Sequence, residues 1–380
     1  MKRARMLLPA LCLLLLFSAC RAQREYLVIT PHEGQYVKEE NEGAIVVGSY
    51  DALTSALMYL VTNRETSGLI RASNYSGSVS EDVAEAVYTV AKRTPLGSYA
   101  VDYITYDVIQ VVSYSDVTVN ISYTKSREEL QKIVSVRNSA AVLTRLASAM
   151  EHYEPSLCLY VYGYETQDLA AYVRSYYEEH PGTLQGLPEL QASFFPTEQS
   201  ECILALSLRY PEETAEMLRR QAAVQAEAAS AAEYVQYRET QTEQLELLYS
   251  YLSERFDYEA RTTATPVYAA LCEGVASSAG FARAMKVICD ALEIECCVVQ
   301  GMYNGSDWWW NIVKLDGQYY HIDVMRDVLA EADSLGMNLD AAMGAYHWEA
   351  ADYPACAIRP DDWPELGTEA EIGENIPAGP

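Results

Sequence analysis

The stretch "NGSDWWWNIVKLDGQYYHID", residues 304–323, decides the fold. Three consecutive tryptophans lead into an apolar run, and Asp-Gly at 316–317 separates this run from a second one. An Asp-Gly pair between two such runs is typical of a tight turn that joins antiparallel strands. The stretch therefore predicts a β-hairpin in which Trp308 and Trp310 point to one face and Trp309 points to the other.

A helix with one apolar stripe precedes this hairpin. The residues of the stripe recur at helical spacing and are expected to be buried: Phe281, Ala284, Met285, Ile288, Cys289 and Leu292. A strand is predicted from Glu295 to Gly301. A helix followed by antiparallel strands predicts an α+β fold and resembles the core of papain-like folds. In those folds a cysteine at the helix N-terminus, where the helix dipole lowers its pKa, works with a histidine and an acid on the facing strands.

The same residues resemble those of bacterial transglutaminase-like domains. Such domains carry A-L-x-x-G-x-A-x-C-x-G-Y-A, a hydrophobic helix and I-x-C, followed by H-x-W-N-x-V-x-L-D-G and W-Y-H-x-D. The matching residues here are Ala270, Leu271, Gly274, Ala276, Gly280, Phe281, Ala282, Cys289, Ile294, Cys296, Trp310, Asn311, Leu315, Asp316 and Gly317. The resemblance implies a papain-like C-terminal domain and does not cover the upstream half of the chain.

The resemblance also assigns the positions of the family's catalytic triad. Ser278 stands at the cysteine position, Trp308 at the histidine position and Asp323 at the aspartate position. A serine hydroxyl needs a base, whereas an indole N–H donates hydrogen bonds and cannot accept a proton. Loss of a triad's base or nucleophile costs on the order of 10⁶ in rate. The resemblance therefore implies a degenerate triad and a domain that has lost acyl transfer.

Two residues keep an enzymatic alternative open, namely a residual amide hydrolase or acyl transferase. Cys272 begins "CEGVA", which imitates the cysteine segment in a shifted register, although the family's later cysteines fit only the Ser278 register. His321 lies two residues before Asp323, hence on the same face of a strand, and could serve Ser278 as a base. The family carries a histidine there beside its ordinary triad, which favours a structural role.

The tryptophans are also candidate ligand-binding residues. Trp308 and the Ser278 loop are expected to line a shallow cleft whose aromatic wall stacks on a cell-wall glycan or a peptide, and Trp308 and Trp309 are the candidate ligand-binding residues. The alternative is that Trp308 fills a vacated cleft as packing. The cysteines and histidines do not have the spacing of a metal site, so we predict neither a metal ion nor a cofactor.

The first residues predict export. Lys2, Arg3 and Arg5 precede an apolar run that is too short to span a bilayer, which is typical of a signal peptide. Phe17-Ser18-Ala19-Cys20 resembles a bacterial lipobox, which implies cleavage before Cys20 and a lipid on its sulfur. We therefore expect a lipoprotein that is anchored to the outer face of a bacterial cell membrane. The net charge of −27 argues against a nucleic-acid partner.

The remaining chain is predicted to contain repeated and linking segments. The order helix, strand, helix, strand, strand, helix occurs twice, which indicates tandem α+β modules. One of the predicted helices covers Ser80–Lys92 and another opens at Pro211, because proline is favoured in a first turn. The predicted segments are a signal peptide at 1–19, a tether at 20–43, modules at 44–135 and 136–237, a transglutaminase-like domain at 238–358 and a disordered acidic tail at 359–380.

Overall fold

The computed structural model describes residues 43–197, 200–259, 261, 263–332 and 334–357, and a short strand at Val37–Lys38. The predicted signal peptide, Cys20, most of the tether and the acidic tail lie outside the described residues. No helix within the described part is long and apolar enough to cross a lipid bilayer.

The chain divides into two compact units. The first contains Met1–Leu146, Ser156–Asp168 and Leu190–Ser207, and the second contains Ala147–Pro155, Leu169–Glu189 and Leu208–Pro380. Helices and strands alternate in both, which confirms the predicted α+β class.

The first part of the chain builds a five-stranded sheet. Its elements are β1 (Val37–Lys38), β2 (Ile45–Val47), α1 (Tyr50–Thr62), β3 (Ser67–Ser73), α2 (Val79–Tyr88), α3 (Pro95–Ala100), β4 (Val101–Gln110), β5 (Tyr114–Tyr123) and α4 (Arg127–Gln131). The strand order is β1-β2-β3-β5-β4. Strands β2 and β3 are parallel, whereas β5 is antiparallel to β3 and to β4.

The next part repeats the order strand, helix, strand, helix, strand, strand, helix, without counterparts of β1 and α3, and builds a four-stranded sheet. Its elements are β6 (Val134–Val136), α5 (Ser139–Glu151), β7 (Ser156–Val161), α6 (Leu169–Glu179), β8 (Glu189–Phe195), β9 (Cys202–Arg209) and α7 (Thr214–Val235). The strand order is β6-β7-β9-β8, with β6 parallel and β9 antiparallel to β7. A shared topology is what a duplication would produce, and the duplication itself stays a prediction.

Two predicted helix boundaries are wrong, and a short strand lies within the predicted tether. The tether contains β1, which pairs antiparallel with β2 and is too short to show periodicity in the sequence. The helix predicted over Ser80–Lys92 ends at Tyr88 and continues as a π-helical turn, Thr89–Arg93. Helix α7 begins three residues after Pro211, because Glu213 is in an extended conformation with a ψ of 151°.

The second unit contains the elements of the candidate site. They are α8 (Gln241–Arg255), β10 (Asp257–Tyr258), α9 (Pro266–Glu273), β11 (Val275–Ala276), α10 (Ser278–Ala291), β12 (Cys296–Tyr303), β13 (Ser306–Leu315), β14 (Gln318–Ile322), α11 (Val324–Leu329), β15 (Met337–Asn338) and β16 (Tyr346–His347). Strands β12 to β16 form an antiparallel sheet in the order β15-β14-β13-β12-β16.

Two tight turns set the register of this sheet. Asp316 and Gly317 have φ angles of 49° and 85°, as the turn between β13 and β14 requires, which confirms the predicted hairpin. Asn304 and Gly305, with φ angles of 50° and 81°, make the same kind of turn between β12 and β13. Asn304-Gly305 is as clear a sequence signal for a hairpin turn as Asp316-Gly317.

The apolar stripe of α10 packs into the core of the second unit, as predicted. Five of its six residues are buried, and Leu292 at the end of the helix is half-buried. A buried ion pair lies on the same helix, where Arg283 Nη2 is 2.7 Å from Glu178 Oε2 of α6. The side chain of Arg283 is only 4% exposed, so the ion pair holds α6 against α10 inside this unit.

Candidate functional site

The start of α10 carries the residue predicted at the nucleophile position. Ser277 caps the helix, and its side chain accepts a hydrogen bond from the backbone N–H of Gly280. Ser278 is the first helical residue and is 5% exposed. No described side chain forms a hydrogen bond with the Ser278 hydroxyl, so nothing in this part of the structure activates it as a nucleophile.

Strand β13 packs against α10. Asn311 Nδ2 donates to the carbonyl oxygen of Ala282 over 2.8 Å. The Trp309 ring faces Arg283, with 5.8 Å from Cζ to the ring centroid. The side chain of Arg283 in turn runs back along the helix to the carbonyl of the residue four positions earlier. Asn311 and Trp309 therefore pack beside Ala282 and Arg283, which lie in the second turn of α10.

Trp308 and Asp323 are joined directly. Trp308 Nε1–H donates to Asp323 Oδ2 over 2.7 Å, and the Tyr346 hydroxyl donates to the same oxygen over 2.7 Å. The backbone N–H of Arg326 donates to Oδ1 over 3.0 Å, because Asp323 is the N-cap of α11. Asp323 is 3% exposed, and burial raises its pKa, while the three donors oppose this shift.

This arrangement has a chemical consequence. In a catalytic triad the acid accepts a hydrogen bond from an imidazole, whose second nitrogen takes the proton of the nucleophile. Here the donor to Asp323 is the indole of Trp308, which has no lone pair for a proton. The structure thus joins two of the three predicted positions through an indole, and no side chain in the described part of the chain is hydrogen-bonded to Ser278 as a proton acceptor.

His321 is buried, with 1% of its surface exposed. Its Nδ1 lies 2.9 Å from Trp310 Nε1, and because an indole N–H only donates, Nδ1 is the acceptor. The proton of the neutral ring is therefore on Nε2, which donates to Asp340 Oδ1 over 2.8 Å. Burial lowers the pKa of His321, although Asp340 opposes the shift. Both nitrogens are engaged, so the geometry gives His321 a structural role and not that of a base for Ser278.

The same histidine belongs to a group of potential metal ligands. Single ligand atoms of His321, Asp340 and Cys356 lie within 4.8 Å of one another. A metal-binding histidine uses the lone pair of one nitrogen and donates a hydrogen bond from the other. The Trp310 indole occupies Nδ1 as a donor, so Nε2 keeps its proton and cannot bind a metal ion. These residues do not fit a metal site.

Cys272 does not have the environment of a reactive thiol. It lies on α9, half-buried against the core of the second unit. Burial raises the pKa of its thiol to about 11, and Glu227 and Glu273 add to the shift. Because only the thiolate is nucleophilic, a thiol with this pKa is almost entirely unreactive near neutral pH. All cysteines in the described part of the chain are free.

The two tryptophans predicted to bind a ligand lie on opposite faces of β13. Trp309 packs against Arg283 on the face towards α10, whereas Trp308 bonds Asp323. Trp308 is half-buried, and its ring lies 5.5 Å from that of Tyr303. The two rings therefore lie on opposite faces of the strand, as its alternation predicts. Trp308 and Tyr303 form the aromatic pair that the structure places at this site.

Sequence reasoning missed two partners of the site residues. Tyr346 donates to Asp323, and Asp340 accepts from His321, from segments that carry no periodic pattern. The aromatic residues of "YHWEAADYPAC", which begins at Tyr346, are a weak local signal of a packed segment. No comparable signal marked Asp340.

Helix α10 packed against the hairpin strand β13, with the buried Asp323 at the end of that hairpin, is a papain-like architecture. Residues 228–324 match the model of the transglutaminase-like superfamily, so this part of the chain is a transglutaminase-like domain. No curated protein sequence matches the chain.

Three solved structures are similar to parts of the chain. The crystal structure of a TGase shares 11% identity over 52% of this chain and 55% of that chain, with a TM-score of 0.25. A putative cysteine protease from Cytophaga hutchinsonii shares 13% identity over 43% of this chain and 68% of that chain, with a TM-score of 0.26. The periplasmic domain of TgpA from Pseudomonas aeruginosa, bound to ethylmercury, shares 17% identity over 38% of this chain and 66% of that chain, with a TM-score of 0.23. The chain thus spans about half the length of the TGase.

Proposed function

We propose that this protein is a lipoprotein of the bacterial cell surface whose transglutaminase-like domain has lost catalysis and serves as a binding or scaffolding module. The observation that carries the proposal is the hydrogen bond from the Trp308 indole to Asp323 Oδ2. It satisfies the acid of the former triad with a group that cannot carry a proton to or from Ser278. His321 and Cys272 offer no replacement, because one is locked in a hydrogen-bond network and the other stays protonated.

A binding role is supported by the aromatic pair at the same site. Trp308 is only half-buried, so part of its indole face remains accessible beside Tyr303. Aromatic faces of this kind stack on apolar faces of ligands and present polar edges to water. The ligand class in this proposal is a glycan or a peptide of the cell wall.

The proposed location rests on the sequence of residues 2–20 alone. Lipidation of Cys20 would add acyl chains whose membrane affinity grows by about 0.8 kcal/mol per buried CH₂. Mass spectrometry of the full chain, expressed in a bacterium, tests it directly. A diacylglyceryl group on an N-terminal Cys20 is expected, and a Cys20→Ala variant should leave the membrane fraction.

Covalent probes test the loss of catalysis. The full chain is treated with a fluorophosphonate and with iodoacetamide, and labelled residues are mapped by mass spectrometry. We expect no stoichiometric labelling at Ser278 or Cys272. A variant with both Ser278→Cys and Trp308→His is the positive control, because it restores a thiol and an imidazole beside Asp323. If the natural protein is labelled at Ser278 and the Ser278→Ala variant is not, the domain is catalytically competent and the proposal is wrong.

A pull-down with purified cell wall tests the binding role. Trp308→Ala removes the accessible ring and should abolish retention, whereas Trp308→Phe should keep part of it, because a smaller apolar face remains. Tyr237→Ala is a matched control, since Tyr237 is 78% exposed and lies outside the site. Unchanged retention of Trp308→Ala, in a protein that is still folded, would remove Trp308 from the binding surface.

A further inference from the structure

The five-stranded sheet of the first unit ends in an open edge. Strand β4 has ten residues and pairs with β5 on one side. No strand within the described residues pairs with its other side. An unpaired edge of this length presents a row of backbone N–H and C=O groups, and proteins usually protect such an edge.

The apolar core is also incomplete at this edge. The inward-facing residues of β5, Val117, Val119 and Ile121, are 0%, 0% and 4% exposed. Their neighbours on β4 pack against the same core but are only half-buried: Ile104, Tyr106 and Val108. Burial therefore falls from β5 to β4, although the residue types are equally apolar. A further strand beside β4 would cover these three side chains.

The outer face of β4 carries exposed apolar groups and one unpaired acid. Tyr103 is 57% exposed and Ile109 is 62% exposed. Asp107 lies between them and makes no hydrogen bond or ion pair with another described residue. No lysine or arginine occurs from residue 101 to residue 124. The edge thus lacks the lysines that commonly discourage strand addition, and the exposed charges on β4, Asp102 and Asp107, are both negative.

We propose that β4 is the docking site for an extended segment of another polypeptide, apolar on one face and rich in lysine or arginine on the other. Such a segment would add a sixth strand to the sheet. Its main-chain hydrogen bonds would supply affinity, and a basic side chain opposite Asp107 would supply specificity. A second copy of the chain is a poorer occupant, because it brings another net charge of −27 and no base for Asp107.

The corresponding edge of the four-stranded sheet provides an internal control. Strand β8 is also terminal, but its charge is satisfied, since Arg209 Nε lies 3.0 Å from Glu189 Oε2. The middle of β8 is small and polar, with Gln191, Ala192 and Ser193 exposed. Its half-buried apolar side chains, Leu190, Phe194 and Phe195, are interrupted by these three exposed residues, and it offers no unpaired acid.

A labelled peptide of alternating valine and lysine, equal in length to β4, tests this inference with the full chain. Fluorescence anisotropy measures its Kd, and a valine–glutamate peptide is the reversed-charge control. Asp107→Lys and Ile109→Lys should each weaken binding at least about tenfold. Glu81→Lys makes the same charge change as Asp107→Lys on an exposed helix position, and Gln191→Lys alters the β8 edge. Both should change the Kd by less than about twofold.

Hydrogen exchange locates the peptide independently of affinity. We expect added protection over residues 101–110 and not over 189–195. Equal binding by Asp107→Lys and Glu81→Lys, or protection confined to β8, would overturn the inference. Sedimentation of the free protein tests whether a second copy of the chain occupies the β4 edge. A dimer that dissociates in the Asp107→Lys variant would show that β4 pairs with β4 of another copy instead.

Discussion

Two indole–acceptor pairs on one strand of this protein have opposite consequences. Trp308 donates to the carboxylate of Asp323, and Trp310, two residues further on, donates to the imidazole of His321. The donors are identical and both acceptors are buried. At Asp323 the indole supports the charged form of the acceptor, whereas at His321 it fixes a neutral tautomer. An indole N–H donor can therefore prevent both a carboxylate and an imidazole from acting in catalysis, each by a different effect on the acceptor.

The largest effect is expected at Asp323. Asp323→Ala leaves the Trp308 indole and the Tyr346 hydroxyl without an acceptor and uncaps α11. We expect the free energy of unfolding of the second unit to fall by about 3–4 kcal/mol. Denaturation followed by tryptophan fluorescence reports on this unit, because every tryptophan of the chain lies after residue 307. A loss below about 1 kcal/mol would mean that the three bonds are not formed.

A smaller loss is expected at His321. His321→Phe removes the acceptor of the buried Trp310 N–H, while Asp340 is partly exposed and can be hydrated. We expect a loss of about 2–3 kcal/mol in the same assay. His321→Gln, which can still accept from Trp310, should recover part of this loss. If both variants matched the natural protein, the fixed tautomer would have no energetic basis.

Trp308→Phe tests the hydrogen bond from the indole to Asp323 by itself. It removes one donor from Asp323, which keeps the bonds from Tyr346 and Arg326, and it preserves most of the apolar contact. The expected loss is about 1–2 kcal/mol. A double-mutant cycle with Asp323→Ala measures the coupling, and additive effects would show that Trp308 and Asp323 do not interact.

The two acceptors should also differ in the sign of their pH dependence. The pKa of His321 is lower in the folded state, so the unfolded state binds more protons below about pH 6.5, and stability falls as the pH falls. The pKa of Asp323 is raised, so in the window above about pH 4 its folded state binds more protons, and acidification favours folding.

The histidine part can be isolated by substitution. Between about pH 7 and pH 5.5 the natural protein should lose up to about 1 kcal/mol more stability than His321→Phe does. Urea unfolding at both pH values measures the difference. An equal pH dependence of the two proteins would place the pKa of the folded His321 at its ordinary value.

Ser278 should matter least. Its hydroxyl has no hydrogen-bond partner among the described side chains, so Ser278→Ala removes no bond. We expect a change within about 0.5 kcal/mol and unaltered retention on cell wall. A strong loss of stability in a correctly folded variant would reveal a contact of this hydroxyl that the account lacks.

Much of the second unit could be predicted because its signals are local. The stripe of α10 and the Asp-Gly turn each follow from a few neighbouring residues, and Trp310 is buried as its position implied. The alternation of side chains along β13 also placed Trp308 and Trp309 on opposite faces. Helical spacing and turn chemistry are properties of short segments, which is why one sequence suffices to read them.

The remaining features depend on residues that are far apart in sequence. Glu178 and Arg283 are 105 residues apart, and Tyr346 reaches Asp323 from 23 residues away. The role proposed for His321 as a base depended on strand alternation, but β14 ends at Ile322, and the histidine faces Asp340. No local pattern specifies which distant side chain satisfies a buried polar group.

The most direct test of whether the domain has lost acyl transfer is ammonia release from a glutamine-containing peptide. It is measured with the full chain under single-turnover conditions. We predict no release above the uncatalysed rate, whether or not Ser278 is replaced by alanine, because Trp308 cannot exchange a proton. Release by the natural protein that Ser278→Ala abolishes would contradict the claim and show that another group acts as the base.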